Sequence, residues 1–142
     1  MTGINTGKVI AGGLVAGLVA NVVDFVTNNY VLKSDWEALA AARNLDPAAF
    51  TSPTVAVTWV VVDFIFGILL VWTYAAIRPR LGPGPTTAIS AGLVIYIATT
   101  LVMCGFTMMG VFTMALFVKG SIAAIVSVVA ASVAGASVYK EA

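Results

Sequence analysis

The sequence predicts an all-α integral membrane protein: a four-transmembrane-helix bundle of antiparallel up-down topology, with a short interfacial helix between spans 1 and 2. Two observations carry that reading. Hydrophobic residues make up 61% of the 142 and charged residues only 9%, against about 25% charged in an average soluble domain. A water-soluble chain this short buries too small a fraction of its surface to hide so much apolar area. The apolar residues also gather into four runs, each near the ~20 residues that cross the hydrocarbon core.

Span 1 is expected over 8–32. Lys8 ahead of an apolar run resembles the start of a secretory signal. The run is longer than the roughly 7–15 residues of such an apolar region, however, and more apolar segments follow, so it reads as a retained span. The polar segment 33–53 comes next. In it Ser34 or Asp35 is expected to cap a short helix, with Glu37 three residues after Ser34 completing a capping box. Trp36 suits a membrane interface, and Asp46 with Pro47 begins a second short turn.

Ser52-Pro53 opens span 2, expected over 54–77. The proline- and glycine-rich segment from Arg78 to Pro85 is expected to break the helix and form a rigid loop. Span 3 follows over 86–107 and span 4 over 111–139. The turn between them falls at Met109-Gly110 or nearer Lys119, since 105–120 contains no strongly polar turn. The whole chain, 1–142, reads as a single transmembrane domain.

Charge sets the expected orientation. With four spans, Lys8, Arg78, Arg80 and Lys140 collect on one side, and Lys33, Arg43 and Lys119 on the other. The two arginines in a very short loop weigh most in the positive-inside rule. Both termini are therefore expected in the cytoplasm of a bacterial or archaeal cell, with the Trp36 segment outside. A net charge of +1 and the lack of a basic cluster give no reason to expect nucleic acid. The sequence has no histidine, so a histidine-ligated haem or zinc and a histidine general base are excluded within this chain. Cys104 is the only cysteine and has no intrachain partner. No nucleophile–base pair, metal-ligand spacing or phosphate-binding glycine loop stands out. The expectation is a protein that is not an enzyme, with no metal site and its cofactors, if any, unspecified.

The word Val-Val-Asp-Phe occurs twice, at 22–25 and 61–64. Each copy places a carboxylate inside a span, where an ionisable group is costly unless it faces protein or water and so marks a candidate site. Asp24 lies eight residues before Leu32, and Asp63 nine after Thr54. At about 1.5 Å per residue both fall roughly 12–14 Å from the outer ends of their spans. If the spans form a hairpin, the carboxylates share a level and would share a proton, relay one or hold a cation. Asn21 and Asn28 flank Asp24 one helical turn away on either side, and Thr99, Thr100 and Ser127 are placed to complete an oxygen-rich patch.

Each span carries one stripe of small and polar residues at steps of three and four. The stripes are Gly13, Gly17, Asn21, Asp24 and Asn28 in span 1, and Trp59, Asp63, Gly67, Leu70 and Tyr74 in span 2. Span 3 has Gly92, Tyr96, Thr99, Met103 and Thr107; span 4 has Ala123, Ser127, Ala131, Ala134 and Ser137. Such stripes suit close helix packing in lipid, with Gly13, Gly17, Gly67, Gly92 and Ala131 as packing positions. The polar members also have a plain alternative as helix glue, favoured for Asn21, at about 0.6 kcal/mol per interhelical bond.

Two functional classes remain. One is a non-catalytic membrane module: an accessory subunit of a larger membrane complex, or a self-associating scaffold whose Gly13–Gly17 face pairs copies into a homo-oligomer. The other is proton- or cation-coupled transport, or small-ligand binding, centred on Asp24 and Asp63. The first is preferred.

Overall fold

The computed structural model describes residues 3–140. Their backbone forms α1 (Thr6–Val26), α2 (Lys33–Ala42), α3 (Pro53–Leu81), α4 (Pro85–Met108) and α5 (Met114–Val138). A π-helical turn, Thr27–Val31, joins α1 to α2, and a 3-10 turn, Pro47–Phe50, precedes α3. Four helical segments are long and apolar enough to cross a membrane: Thr6–Val31, Ala48–Leu81, Pro85–Met108 and Met114–Val138. They match a four-span all-α membrane bundle.

Local chemistry explains most boundaries. Asn5 caps α1 by accepting from the Lys8 amide at 3.1 Å. Asp46 accepts from the Ala48 amide at 2.9 Å, and Ser52 accepts from Val55 ahead of Pro53 in the first turn. The Thr113 hydroxyl accepts from Leu116 and starts α5. Gly110, at φ 77°, supplies the left-handed residue of the α4–α5 turn, which places that turn at 109–113 rather than near Lys119.

Two local expectations need correction. The Ser34–Glu37 capping box does not form, because the π-turn feeds directly into α2 and Leu32 occupies the cap position without a side-chain bond. Nor does α3 stop before Pro79. It runs on to Leu81 and ends at Gly82, φ 82°. Pro79 lies in the final turn, where only one backbone bond is lost and its fixed φ is already helical.

The spans pack through small residues. α1 is the hub, lying against α3 on one side and α5 on the other. α4 rests on α5 and α3, α3 and α5 also touch, and α1 and α4 barely meet. A Cβ added to Gly67 would overlap the Gly13 carbonyl and the Gly17 amide nitrogen, and one on Gly13 would lie 2.6 Å from the Ile68 Cα. Backbones in such contact maximise dispersion, which drives helix association where no hydrophobic effect operates. On the other side of α1, a Cβ on Gly135 would meet Val71 Cγ2 at 2.6 Å and both Ala16 Cβ and the Gly12 carbonyl at 2.8 Å. Gly92 lies against Ser132 and Val128, and Ala131 is fully buried.

The stripes of α3 and α5 depart from expectation. Trp59 is 61% exposed, in a segment of α3 from Ala56 to Val61 whose residues are all exposed, so its ring faces outward. In α5 the buried line runs Ser127, Ala131, Gly135, in steps of four, with Ser132 and Ala136 beside it; Ser137 is exposed and Ala134 only half-buried.

Aromatic clusters close both ends. Tyr139 stacks edge-on to Tyr74 at 5.9 Å, lies 5.7 Å below the Arg78 guanidinium, and accepts from the Asn5 amide. At the opposite end α2 folds over the bundle. Trp36 contacts Phe50 at 5.5 Å and Phe112 at 6.4 Å, above a small core of Leu32, Leu39 and Leu116. Arg43 donates to the Gly110 carbonyl, and Lys119 pairs with Asp35 at 2.8 Å.

Candidate functional site

The site begins at the junction of α1 with the π-turn. Asn28 and Asn29 donate their side-chain amides to the Asp24 and Phe25 carbonyls, each at 2.8 Å. Side chains that compete in this way with the backbone ladder favour departures from regular helix, and π-turns recur at functional positions. The turn is wider than an α-helical one. It presents Thr27 and Asn28 beside Asp24 and carries the chain into α2.

Trp36 of α2 then donates its indole N–H to the Asn28 side-chain oxygen at 3.0 Å. Below that bond lies a cavity of about 210 Å³ between α1, α4 and α5. Asp24 and Asn28 line it from α1 and the π-turn, Thr99 and Thr100 from α4, and Phe117 and Ser121 from α5. Trp36 and Phe112 cover its α2 end. The exposed lining residues Asn28, Thr99 and Met103 mark its mouth.

The other candidate residues distribute around this cavity. Ser127, buried on α5, lies near the Asp24 carboxyl. Asp63 is buried on α3, near enough to feel the charge of Asp24, but it does not line the cavity. Asn21 belongs to the helix contact instead. Its amide donates to the Gly17 carbonyl at 2.9 Å and to the Val60 carbonyl of α3 at 3.3 Å. Thr99 turns its hydroxyl back on the Ile95 and Tyr96 carbonyls of its own helix, each at 3.0 Å.

Comparison with family models, curated proteins and solved structures gives no significant match. The arrangement therefore has to be read from its own chemistry. Among the described residues no group of three or more acidic, cysteine or histidine side chains is placed to hold a metal ion. What the site offers is one carboxylate in an amphiphilic pocket, a second carboxylate behind it and a hydroxyl near it.

Several contributors escaped sequence reasoning. Thr27 adjoins Asn28 and Ser121 lies six residues before Ser127, off the three-and-four stripes, so their relevance depends on how the helices are rotated. Trp36 was legible as an interfacial aromatic, but its bond to Asn28 depends on the π-turn. Gly135 went unnoticed among the many small residues of α5. Its one distinguishing signal is the four-residue spacing from Ala131 and Ser127.

Proposed function

We propose that the chain is a non-catalytic membrane module, an accessory subunit or self-associating scaffold. It spans the bilayer four times in alternating directions, with both termini in the cytoplasm. The pairing of Gly13 with Ile68, Gly17 with Phe64 and Asn21 with Val60 supports an antiparallel α1–α3 hairpin. The observation that carries the scaffold reading is the uneven enclosure of the spans. The most apolar window of α4 is only 11% buried within the chain, against 33% for α1. Val94, Ile97, Leu101 and Val102 face outward along α4, and Gly105 has open space where a side chain would be. By contrast, the Gly13–Gly17 face is filled by α3, so association through it is not available. A second chain is proposed to lie against α4.

The test is mass in lipid nanodiscs across a dilution series. A dimer or larger assembly is expected, and Gly105→Leu is expected to shift it toward monomer; a monomer at every concentration rejects self-association. For orientation, single cysteines placed at exposed positions of α2 in a Cys104→Ser background are expected to react with an impermeant maleimide from outside intact cells. Reaction only after the membrane is opened reverses the orientation.

A second reading, small-ligand binding or ion-coupled transport centred on Asp24 and Asp63, has one observation in its favour: the cavity on whose wall Asp24 sits, with Asp63 behind it.

A further inference from the structure

We infer that the cavity under Trp36 is a binding site for a compact organic cation with an apolar body, such as a substituted ammonium. The inference rests on the ligand-binding reading of Asp24 and adds the chemical class of the ligand.

Charge is the first argument. Among the described residues, Asp24 is the only ionisable side chain on the cavity wall. A carboxylate at membrane depth calls for a partner, and Lys119, the lysine of α5, is held by Asp35 at 2.8 Å on the outer side. The field at the cavity floor therefore favours a cation and repels an anion.

Surface chemistry narrows the class. Trp36, Phe112 and Phe117 present aromatic rings to the same space, and aromatic faces attract cations within about 6 Å of their centres. The Asn28 amide is engaged in both directions, by Trp36 and by the Asp24 carbonyl. The remaining wall mixes Leu, Met and Ala side chains with Thr27, Thr99, Thr100 and Ser121, and the Thr99 hydroxyl is turned back on its own helix. A bare metal ion would find a single carboxylate and otherwise neutral oxygens here. A sugar or nucleotide would lose more hydrogen bonds than it gained. An ammonium carrying methyl groups or a ring satisfies the carboxylate, the aromatic rings and the apolar wall together.

Size sets the limit. At about 210 Å³ the cavity is smaller than the roughly 300–1,000 Å³ pockets that take drug-sized ligands. A single-ring ammonium suits it better than a large dye.

The test uses the full chain in lipid nanodiscs with Trp59→Phe and Trp72→Phe, leaving Trp36 as the sole indole of the three. Benzyltrimethylammonium is titrated against its uncharged isostere, neopentylbenzene. A saturable change in Trp36 emission is expected with the cation only. Asp24→Asn is expected to weaken it about tenfold or more, the scale on which a desolvated charge partner matters. Gly120→Val serves as an independent variant. The nearest atom to a Cβ there is Leu32 Cδ1 at 4.0 Å, so the new side chain enters the cavity without straining the helix, and the same loss is expected. Equal binding of both probes, unchanged by Asp24→Asn, overturns the cation class but leaves a ligand site. Absence of saturable binding by either probe, with helical circular dichroism intact, overturns the inference and the ligand-binding reading together. A Trp36 signal that responds to protein dilution and not to the cation assigns the cavity to a second copy and also overturns the inference.

Discussion

Gly67→Ala is expected to cost about 2–4 kcal/mol of unfolding free energy in detergent, or to prevent folding, even though alanine is the better helix former. The added methyl has no free volume. It would overlap the Gly13 carbonyl and the Gly17 amide nitrogen, both backbone groups. A side chain in the way can rotate; a backbone can only move the whole helix, which would separate α1 from α3 and release the Asn21 bond to the Val60 carbonyl. Denaturant titration followed by circular dichroism measures the effect. Gly105→Ala is the control, because nothing lies within 4 Å of that position. Similar losses at both glycines would show that the α1–α3 contact is not what sets stability.

Asp63→Asn is expected to act in the opposite direction, raising unfolding free energy by about 1–3 kcal/mol at neutral pH. Asp63 is 9% exposed, so burial penalises its charged form, and Asp24 adds repulsion whenever both are ionised. Asparagine keeps the shape and removes the repulsion. A residue whose replacement stabilises the fold is held for a reason other than stability. A loss of 1 kcal/mol or more would instead make the Asp63 carboxyl a fastener between helices. The same denaturant titration distinguishes the two.

The parts of this molecule that were legible in its sequence are those governed by transfer free energy and by local caps. Four apolar runs give four spanning helices, and Asp46 and Ser52 cap the turns they were expected to cap. Asp24, Asn28, Thr99 and Thr100 do share one cavity wall. What was not legible depends on rotation and register. Trp59 fits the same three-and-four spacing as Asp63 and Gly67, yet faces outward, since periodicity cannot say where along a helix its neighbour ends. The π-turn at Thr27 to Val31 changes the rotation of everything after it, and composition carries no clear sign of it. Pro79 reads as a breaker in isolation but is tolerated within a turn of the helix end.

The position of α1 at the centre of the bundle bears on biogenesis. α1, which leaves the ribosome ahead of α3, α4 and α5, has two glycine-lined faces, one filled by α3 and the other by α5. The residues against the α5 side, Gly12 and Ala16, meet Gly135 only near the end of the chain. Until α5 is synthesised, one side of α1 therefore lies against lipid or the insertion machinery, and the bundle closes only when α5 arrives. A truncation that removes the end of α5 deprives the first helix, more than a hundred residues away, of its neighbour.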